Sequence, residues 1–453
     1  MPKKKTALTI EERLQQALVP AEEQPYEVPE NWVWVRLGAV CGFERGITFP
    51  SSAKQNERDD ENIPCLRTAN VQDELELNNL IYVNKKYYKN NIDKLIRKND
   101  IIMSTANSRE LVGKTSFVYK VEYPMIFGGF VMALRANKLL SKFLFYYLRL
   151  EFLLGRFRGE STQTTNIANI SSSVLGEYTF PLPPLSEQQR IVERIEELFA
   201  KLDEAKERLQ EVADSFAVRK AAILHKAFTG ELTQQWRCEN GVSDESWEEK
   251  KLGEVALLLS GQDFPPTKYN SDGNGIPYIT GASNFDDTHI LINRWTDEPS
   301  VIAQENDVLL VCKGSGYGKT IIADFKEAHI ARQIMALRVK EIIDNNLLLY
   351  YLRNKNRFIK EQGQGLIPGL SRKVILSLTI NLPTLPEQHE IVRLIDDLLA
   401  RERTAQQAAE QALASIDLMK KSVLARAFRG ELGTNKASEA SALELLRQVL
   451  AEG

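Results

Sequence analysis

The residues of this chain that could do chemistry are scattered, and their spacing excludes most kinds of catalysis. KGSGYGKT, residues 313–320, has the look of a phosphate-binding loop. Such a loop needs a glycine five residues before the glycine of GKT, so that consecutive backbone N–H groups can close around phosphate oxygens. That position is Lys313, and the related stretch SRELVGKT, residues 108–115, has no glycine before its GKT. A turn entering a strand is the simpler reading, with Lys313, Lys319 and Lys114 as point charges for phosphates. The acid–x–Lys triplets Glu204–Ala205–Lys206 and Asp324–Phe325–Lys326 suggest no nuclease centre, because the first falls inside a heptad helix and the second is solitary. His225 and His389 belong to helical repeats, and His289 and His329 stand alone, so no acid–base pair is formed in sequence. Cys41, Cys65, Cys238 and Cys312 include no CxxC pair, which points away from zinc and from a disulfide framework. FPPT at Phe264 lacks the Asn/Asp-Pro-Pro-aromatic order used to methylate exocyclic amines, and no glycine-rich loop after a strand offers a methyl-donor pocket.

Composition sets the wider bounds. At 453 residues with 43% hydrophobic content the chain is globular and too long for one ordinary core. No apolar run reaches the roughly 18 residues of a membrane span. The start, MPKKKTALTIEERL, holds no apolar stretch, so no signal peptide is expected, and a reducing cytoplasm is the simplest compartment. The net charge of −3 hides an asymmetry: residues 31–180 hold 20 Lys/Arg against 15 Asp/Glu, whereas residues 246–380 hold 16 of each. A polyanion is therefore expected on the globular regions, the first above all.

The elements that must position these residues are duplicated. Residues 181–232 and 381–432 align without a gap at 19 identities, from PLPPLSEQQRIVERIEELFAKLD and NLPTLPEQHEIVRLIDDLLARER to AFTGEL and AFRGEL. Ser186 after PLPPL predicts a capped helix start, and Gly230 predicts its end. Ile191, Ile195, Leu198, Leu202, Ala205, Leu209, Val212 and Phe216 fall at alternating spacings of four and three, a heptad seam. The second copy keeps Ile391, Ile395 and Leu398, then places Glu402, Ala405, Ala409 and Ala412 before Ile416. Helices of about 40 residues span on the order of 60 Å. They are expected to pair with each other, antiparallel; an amphipathic helix on its own domain's core is the alternative.

The segments before the helices share their punctuation. Trp32, Leu37, Gly38, Val40, Gly46, Phe49 and Pro50 recur as Trp247, Leu252, Gly253, Val255, Gly261, Phe264 and Pro265. NDI recurs as NDV, and GKT, MALR and YYLR each recur in order. Short runs such as IIMST and DVLLVC between polar loops predict a β-rich core. The predicted fold is thus α/β (α+β), with two similar β-rich domains, two long antiparallel coiled-coil helices and a pseudo-twofold. Expected limits are an N-terminal segment 1–30, domains at 31–180 and 246–380, helices within 181–232 and 381–432, a linker at 233–245, and a C-terminal tail helix within 433–453.

These motifs resemble the specificity subunit of type I restriction-modification systems over nearly the whole chain. The PLPPLSEQ and AF–GEL repeats and the W–V–LG opening of each domain carry the resemblance, with the altered second seam as a departure. It implies two target-recognition domains, each reading one half of a bipartite site in double-stranded DNA. It also implies methyltransferase subunits, two in number, and restriction subunits as partners. S-adenosylmethionine, ATP and magnesium would belong to those partners, with no cofactor, metal or catalytic residue in this chain.

Base edges are read by polar side chains while phosphate contacts set register. Polar loops of that kind precede each helix, GESTQTTNIANIS and EQGQGLIPGLS. The candidates there are Ser161, Gln163, Thr164 and Asn166, then Gln362 and Gln364. Further candidates are Arg45, Thr48, Arg67, Arg109 and Lys114 in the first domain, and Gln262, Lys268, Lys313, Tyr317 and Lys319 in the second. Helix pairing is assigned to Ile191, Ile195, Leu198, Leu202, Leu209 and Phe216 against Ile391, Ile395, Leu398 and Ile416. Two rival readings stay open: a coiled-coil scaffold that binds proteins only, and a standalone enzyme acting on nucleic acid.

Overall fold

The computed structural model describes residues 8–160, 162–164, 167–286, 288–314, 316–361 and 369–452. The chain forms two compact units, residues 1–208 with 413–453 and residues 209–412. These limits cut across the domains expected from sequence, because each long helix is shared between the units.

Each unit is built on the same antiparallel sheet. In the first the strand order is Cys41–Arg45, Val131–Ala136, Ile101–Ser104, Thr115–Phe117. In the second it is Ala256–Ser260, Ile334–Val339, Val308–Val311, Thr320–Ile322. The unbroken apolar runs IIM and VLLV follow from a period of two with both faces covered. Ile101 and Met103 enter the core that holds Phe143 and Phe180, while Ile102 enters the one that holds Leu66 and Phe127. Val308 and Leu310 likewise part from Leu309 and Val311. A mixed sheet lies beside each, containing one parallel pair: Asn62–Leu66 with Ile126–Phe127, and Ile276–Ile279 with Glu327–Ile330. The opening strand of each globular region pairs with its closing one, Val33–Arg36 with Thr179–Leu182 and Glu248–Lys251 with Thr379–Leu382. The mixed, β-rich architecture predicted from the sequence is the one found.

The long helices run Leu185–Phe228 and Leu385–Ala427. The first starts one residue before the expected cap: the Glu187 and Gln188 amides donate to the Pro184 carbonyl, 3.0 Å each, and Ser186 lies in the first turn. The repeated Glu-Gln pair explains why this stretch is so similar in the two copies. Glu187 is fully buried and accepts from Trp32 Nε1 at 2.8 Å, Asn435 Nδ2 at 2.9 Å and Thr434 Oγ1 at 3.4 Å. Gln188 accepts from the Leu140 amide and donates to the Pro183 carbonyl, 3.0 Å each. Glu387, also fully buried, accepts from Thr233 Oγ1 and Arg237 Nη1 at 2.7 Å each. Gln388 accepts from the Asp344 amide at 2.9 Å and donates to the Pro383 carbonyl at 2.8 Å.

The AF–GEL motif is the other end of the same design. Phe228 packs edge-on against Tyr351 in the second unit, ring centres 5.5 Å apart. Phe428, fully buried in the first unit, lies 5.0 Å from Phe143 and 5.1 Å from Tyr147. Each long helix therefore begins in the core of one unit and ends in the core of the other. Gly230 and Gly430 stop the helices at φ +82° and +72°, the left-handed conformation that suits glycine. The first unit is closed by the C-terminal helix Ala442–Glu452, where Leu446 is fully buried, and by the segment before it, where Arg190 grips Glu439 through two bonds of 2.7 and 2.8 Å.

The heptad seam divides into ends and middle. Ile191 and Ile195 belong to the same buried cluster as Phe143, Phe180, Leu424 and Phe428, and Ile391 and Ile395 to that of Leu252, Leu347 and Ala227. At these ends the seam serves the globular core and the opposing helix together, since Leu424 shares the first cluster and Ala227 the second. Leu198, Leu202, Leu209 and Leu398 are half-buried, Phe216 and Ile416 are buried, and Val212 is exposed. The helices are antiparallel in each unit. In the first, Asp203 pairs with Lys420 and Lys206 with Asp417. In the second, Arg219 pairs with Glu402 at 2.9 Å, while Leu224 and Phe228 share a cluster with Ile391 and Ile395. Glu402, which interrupts the apolar seam, thus faces an arginine of the opposing helix.

Two tests follow. Phe428→Ala should cost about 3–5 kcal/mol in urea denaturation, as expected for a large ring removed from a full core. Leu418→Ala, on the helix that leads into Phe428 but 68% exposed, should change stability by less than about 0.5 kcal/mol. His329 gives the second. Its ring is buried and stacks on Phe264 at 4.0 Å. Nδ1 lies 3.1 Å from the Val301 carbonyl and 3.2 Å from the Val301 amide, and Nε2 lies 2.9 Å from the Gln262 carbonyl. Burial pushes its pKa below the ordinary value, against the pull of the Gln262 and Val301 backbone bonds and the Asp263 charge. A histidine with a lowered folded-state pKa contributes stability in full above its unfolded pKa of about 6.5 and loses it as pH falls towards the folded value. The second unit should therefore lose stability between pH 7.5 and 5.5, and His329→Gln should flatten that dependence.

Candidate nucleic-acid interface

In the first unit the candidates gather around the turn between Ile126–Phe127 and Val131–Ala136. Arg45, Thr48 and Arg67 line a cavity of about 490 Å³ with Lys54, Phe49 and Phe130. A second cavity of about 350 Å³ shares Arg45, Gly129 and Phe130 and extends to Asn169 and Ser171. That edge carries the polar segment picked out in sequence. Its strand Thr162–Thr164 pairs with Ile167–Asn169, which pairs in turn with Ala106–Asn107. Gln163 and Thr164 sit opposite Ala168 and Ile167 in this ladder. Their side chains lie outside the described residues, as do Ser161 and Asn166. Arg109 is exposed just beyond Ala106–Asn107.

Two cations of this group are held by their own unit. Arg67 donates from Nη2 to the Asn79 carbonyl at 3.0 Å, and its Nε is buried with no partner among the described residues. Lys114 is half-buried, with Nζ 2.6 Å from Gln72 Oε1. Its position in GKT suggested a free charge, but the strand it enters turns it onto a neighbouring loop.

In the second unit Gln262 and Lys268 lie at the matching rim. Gln262 Oε1 accepts from Ser300 Oγ at 3.1 Å, and Lys268 pairs with Glu298 at 2.7 Å on the surface. Lys313 and Lys319 are exposed. Tyr317 corrects the sequence reading: its ring is buried in the core with Leu347 and Leu348, and its hydroxyl donates to the Ile359 carbonyl at 2.8 Å. It follows a polar glycine-containing loop, which made it look like surface. Gln362 and Gln364 lie outside the described residues.

Sequence reasoning missed the turn itself. Phe130 and Gln333 occupy equivalent places, since the Thr105 amide donates to the Phe130 carbonyl (3.0 Å) and the Cys312 amide to that of Gln333 (2.8 Å). The Gly46 and Gly261 amides likewise donate to Val131 and Ile334, 3.0 Å each. A Cβ at Gly46 or Gly261 would come within 2.1 Å of a carbonyl oxygen of that turn, so no side chain fits there. The scaffold is thus held bond for bond, while the turn reads Gly128-Gly129-Phe130 in one unit and Ala331-Arg332-Gln333 in the other. The signal was available: GGF and ARQ directly precede the shared MALR strand. Exposed cations with amide and hydroxyl groups suit phosphate and base-edge contacts. Among the described residues no cluster of His, Cys, Asp or Glu is placed to hold a metal ion, and no helix is long and apolar enough to cross a membrane.

Comparison with known proteins agrees with this architecture. The family model described as type I restriction modification DNA specificity domain matches residues 29–214 and 244–412. The StySPI type I restriction enzyme specificity subunit of Salmonella potsdam is 28% identical over 457 aligned positions, covering 94% of this chain and 96% of the relative. The EcoKI specificity subunit of Escherichia coli K12 is 26% identical, again over 94% and 96%. Among solved structures, the HsdS subunit from Thermoanaerobacter tengcongensis superposes with a TM-score of 0.65 at 24% identity, covering 90% of this chain and 99% of that one. A chain from the structural work on complex assembly and conformational transition of the type I R-M system gives 0.69 at 25% identity, covering 90% and 100%. The two matched segments lie on the two globular regions and run into the long helices, and on that basis the chain belongs to the type I restriction-modification DNA specificity family.

Proposed function

We propose that this chain is the DNA sequence-recognition subunit of a type I restriction-modification complex, each unit reading one half of a bipartite site. The observation that carries this reading is the duplication: one hydrogen-bonded scaffold, used twice, with different side chains at the same exposed turn. A scaffold held constant beneath variable exposed groups is what two readers of different sequences require. The long helices set the gap between half-sites and dock two methyltransferase subunits; restriction subunits complete the assembly. Docking at two equivalent places is supported by Val218 and Leu418, at matching positions of the two helices and 71% and 68% exposed. The chain itself is non-catalytic and acts in the cytoplasm, and the partners supply the chemistry of S-adenosylmethionine, ATP and magnesium.

The spacing role is tested by deleting seven residues from each long helix, which keeps the seam in phase. A heptad removes roughly 10 Å of helix at 1.5 Å per residue, or about three base pairs at 3.4 Å each. The shortened protein, folded by circular dichroism and bound to its methyltransferase partners, should prefer a shorter gap or lose specific binding, with half-site sequences unchanged. Selection of the original gap at undiminished affinity contradicts the spacing role. In the same assay the isolated chain supplied with S-adenosylmethionine should transfer no methyl group to DNA.

A further inference from the structure

We propose that Phe130 is a specificity-determining wedge of the first unit, an aromatic side chain that inserts against a base step of the half-site read there. The inference rests on the recognition reading above and deepens it. Phe130 is 64% exposed, although it ends a turn whose backbone is fixed on both sides by sheet hydrogen bonds to Thr105 and Gly46. An exposed ring alone is unremarkable on a protein surface. This one lies where two cavities meet: the 490 Å³ and 350 Å³ hollows have Arg45, Gly129 and Phe130 in common. The ring and the arginine thus stand between two spaces, each large enough for a nucleobase. The Arg45 Nε lies 3.5 Å from the Gly129 carbonyl, which keeps the guanidinium beside the ring. Lys54 and Arg67 line the larger hollow, so cationic charge surrounds the apolar group.

That combination suits DNA better than a protein surface. Apolar wedges between base steps partly unstack the duplex, and neighbouring cations hold the bent backbone. The second unit makes the contrast. Its equivalent residue is Gln333, whose Oε1 lies 2.5 Å from where a Cβ on Gly281 would stand, and Arg332 precedes it. The first unit therefore meets its half-site with an apolar ring and the second with hydrogen-bonding groups.

The test uses the complex with its methyltransferase partners and a duplex carrying the sequence that complex methylates. 2-Aminopurine replaces one base at a time across the half-site assigned to the first unit. The wild-type complex should raise fluorescence at one or two adjacent positions. Phe130→Ala should abolish that rise and weaken binding roughly 5- to 150-fold, the range for loss of one aromatic–base stack. The slope of affinity against salt should stay unchanged. Arg45→Ala should instead lower that slope by about one phosphate contact. Phe130→Leu, which keeps apolar volume, should retain part of the affinity. The proposal is overturned if Phe130→Ala binds within twofold of wild type, if no position responds in the wild-type complex, or if Phe130→Ala loses its methyltransferase partners rather than DNA. A wild-type complex that favours no duplex sequence contradicts the recognition reading itself, a different failure.

Discussion

A carboxylate taken out of water must find hydrogen-bond donors, and Glu187 and Glu387 show how much of this molecule is organised around that requirement. Each lies in the first turn of a long helix and is fully buried. Glu187 gathers Trp32 from the opening of the chain together with Thr434 and Asn435 from the segment after the second helix. Glu387 gathers Thr233 and Arg237 from the segment after the first helix, and Arg237 continues to Asp244 and the Gly230 carbonyl. At Glu187 three distant stretches of chain therefore meet at one side chain, whereas Glu387 joins two, both its donors falling on Oε1 while Oε2 is buried with no partner among the described residues. The adjacent glutamine ties the same turn to the helix that backs the main sheet, through the Leu140 and Asp344 amides.

Around that constraint the chain separates what must stay fixed from what can vary. Fixed are the buried helix starts, the terminal phenylalanines Phe228 and Phe428, and the sheet bonds shared by the two units. Variable are the groups at the rim: Phe130 against Gln333 and Thr48 against Asp263. Even the interruption of the apolar seam at Glu402 is matched, by Arg219. Replacing side chains on such a rim leaves the core packing untouched, which allows one scaffold to serve different DNA sequences.

Much of this architecture was legible in the sequence because buried helix starts and ends impose residue type. The long helices, the stop at Gly230, the duplicated β-rich units and the family resemblance all rest on such positions. The seam has two roles that spacing does not separate: Ile191 and Ile195 have heptad spacing, and a coiled coil and a globular core ask for the same apolar residues there. Tyr317 was misplaced because polarity of neighbours says nothing about which way a ring turns, and Lys114 because a free lysine and one bound to Gln72 look alike in sequence. Phe130 escaped notice because a phenylalanine before a strand reads as core. Only the fold shows that its turn projects it outward.

The central claim is that each unit reads its own half of the DNA site. The most direct measurement is to replace residues 246–380 with the same region of a related specificity subunit, assemble the hybrid with the methyltransferase partners, and sequence the methylated sites. The account predicts one half-site exchanged for the donor's and the other retained. A hybrid in which both half-sites change, or neither does, would contradict it.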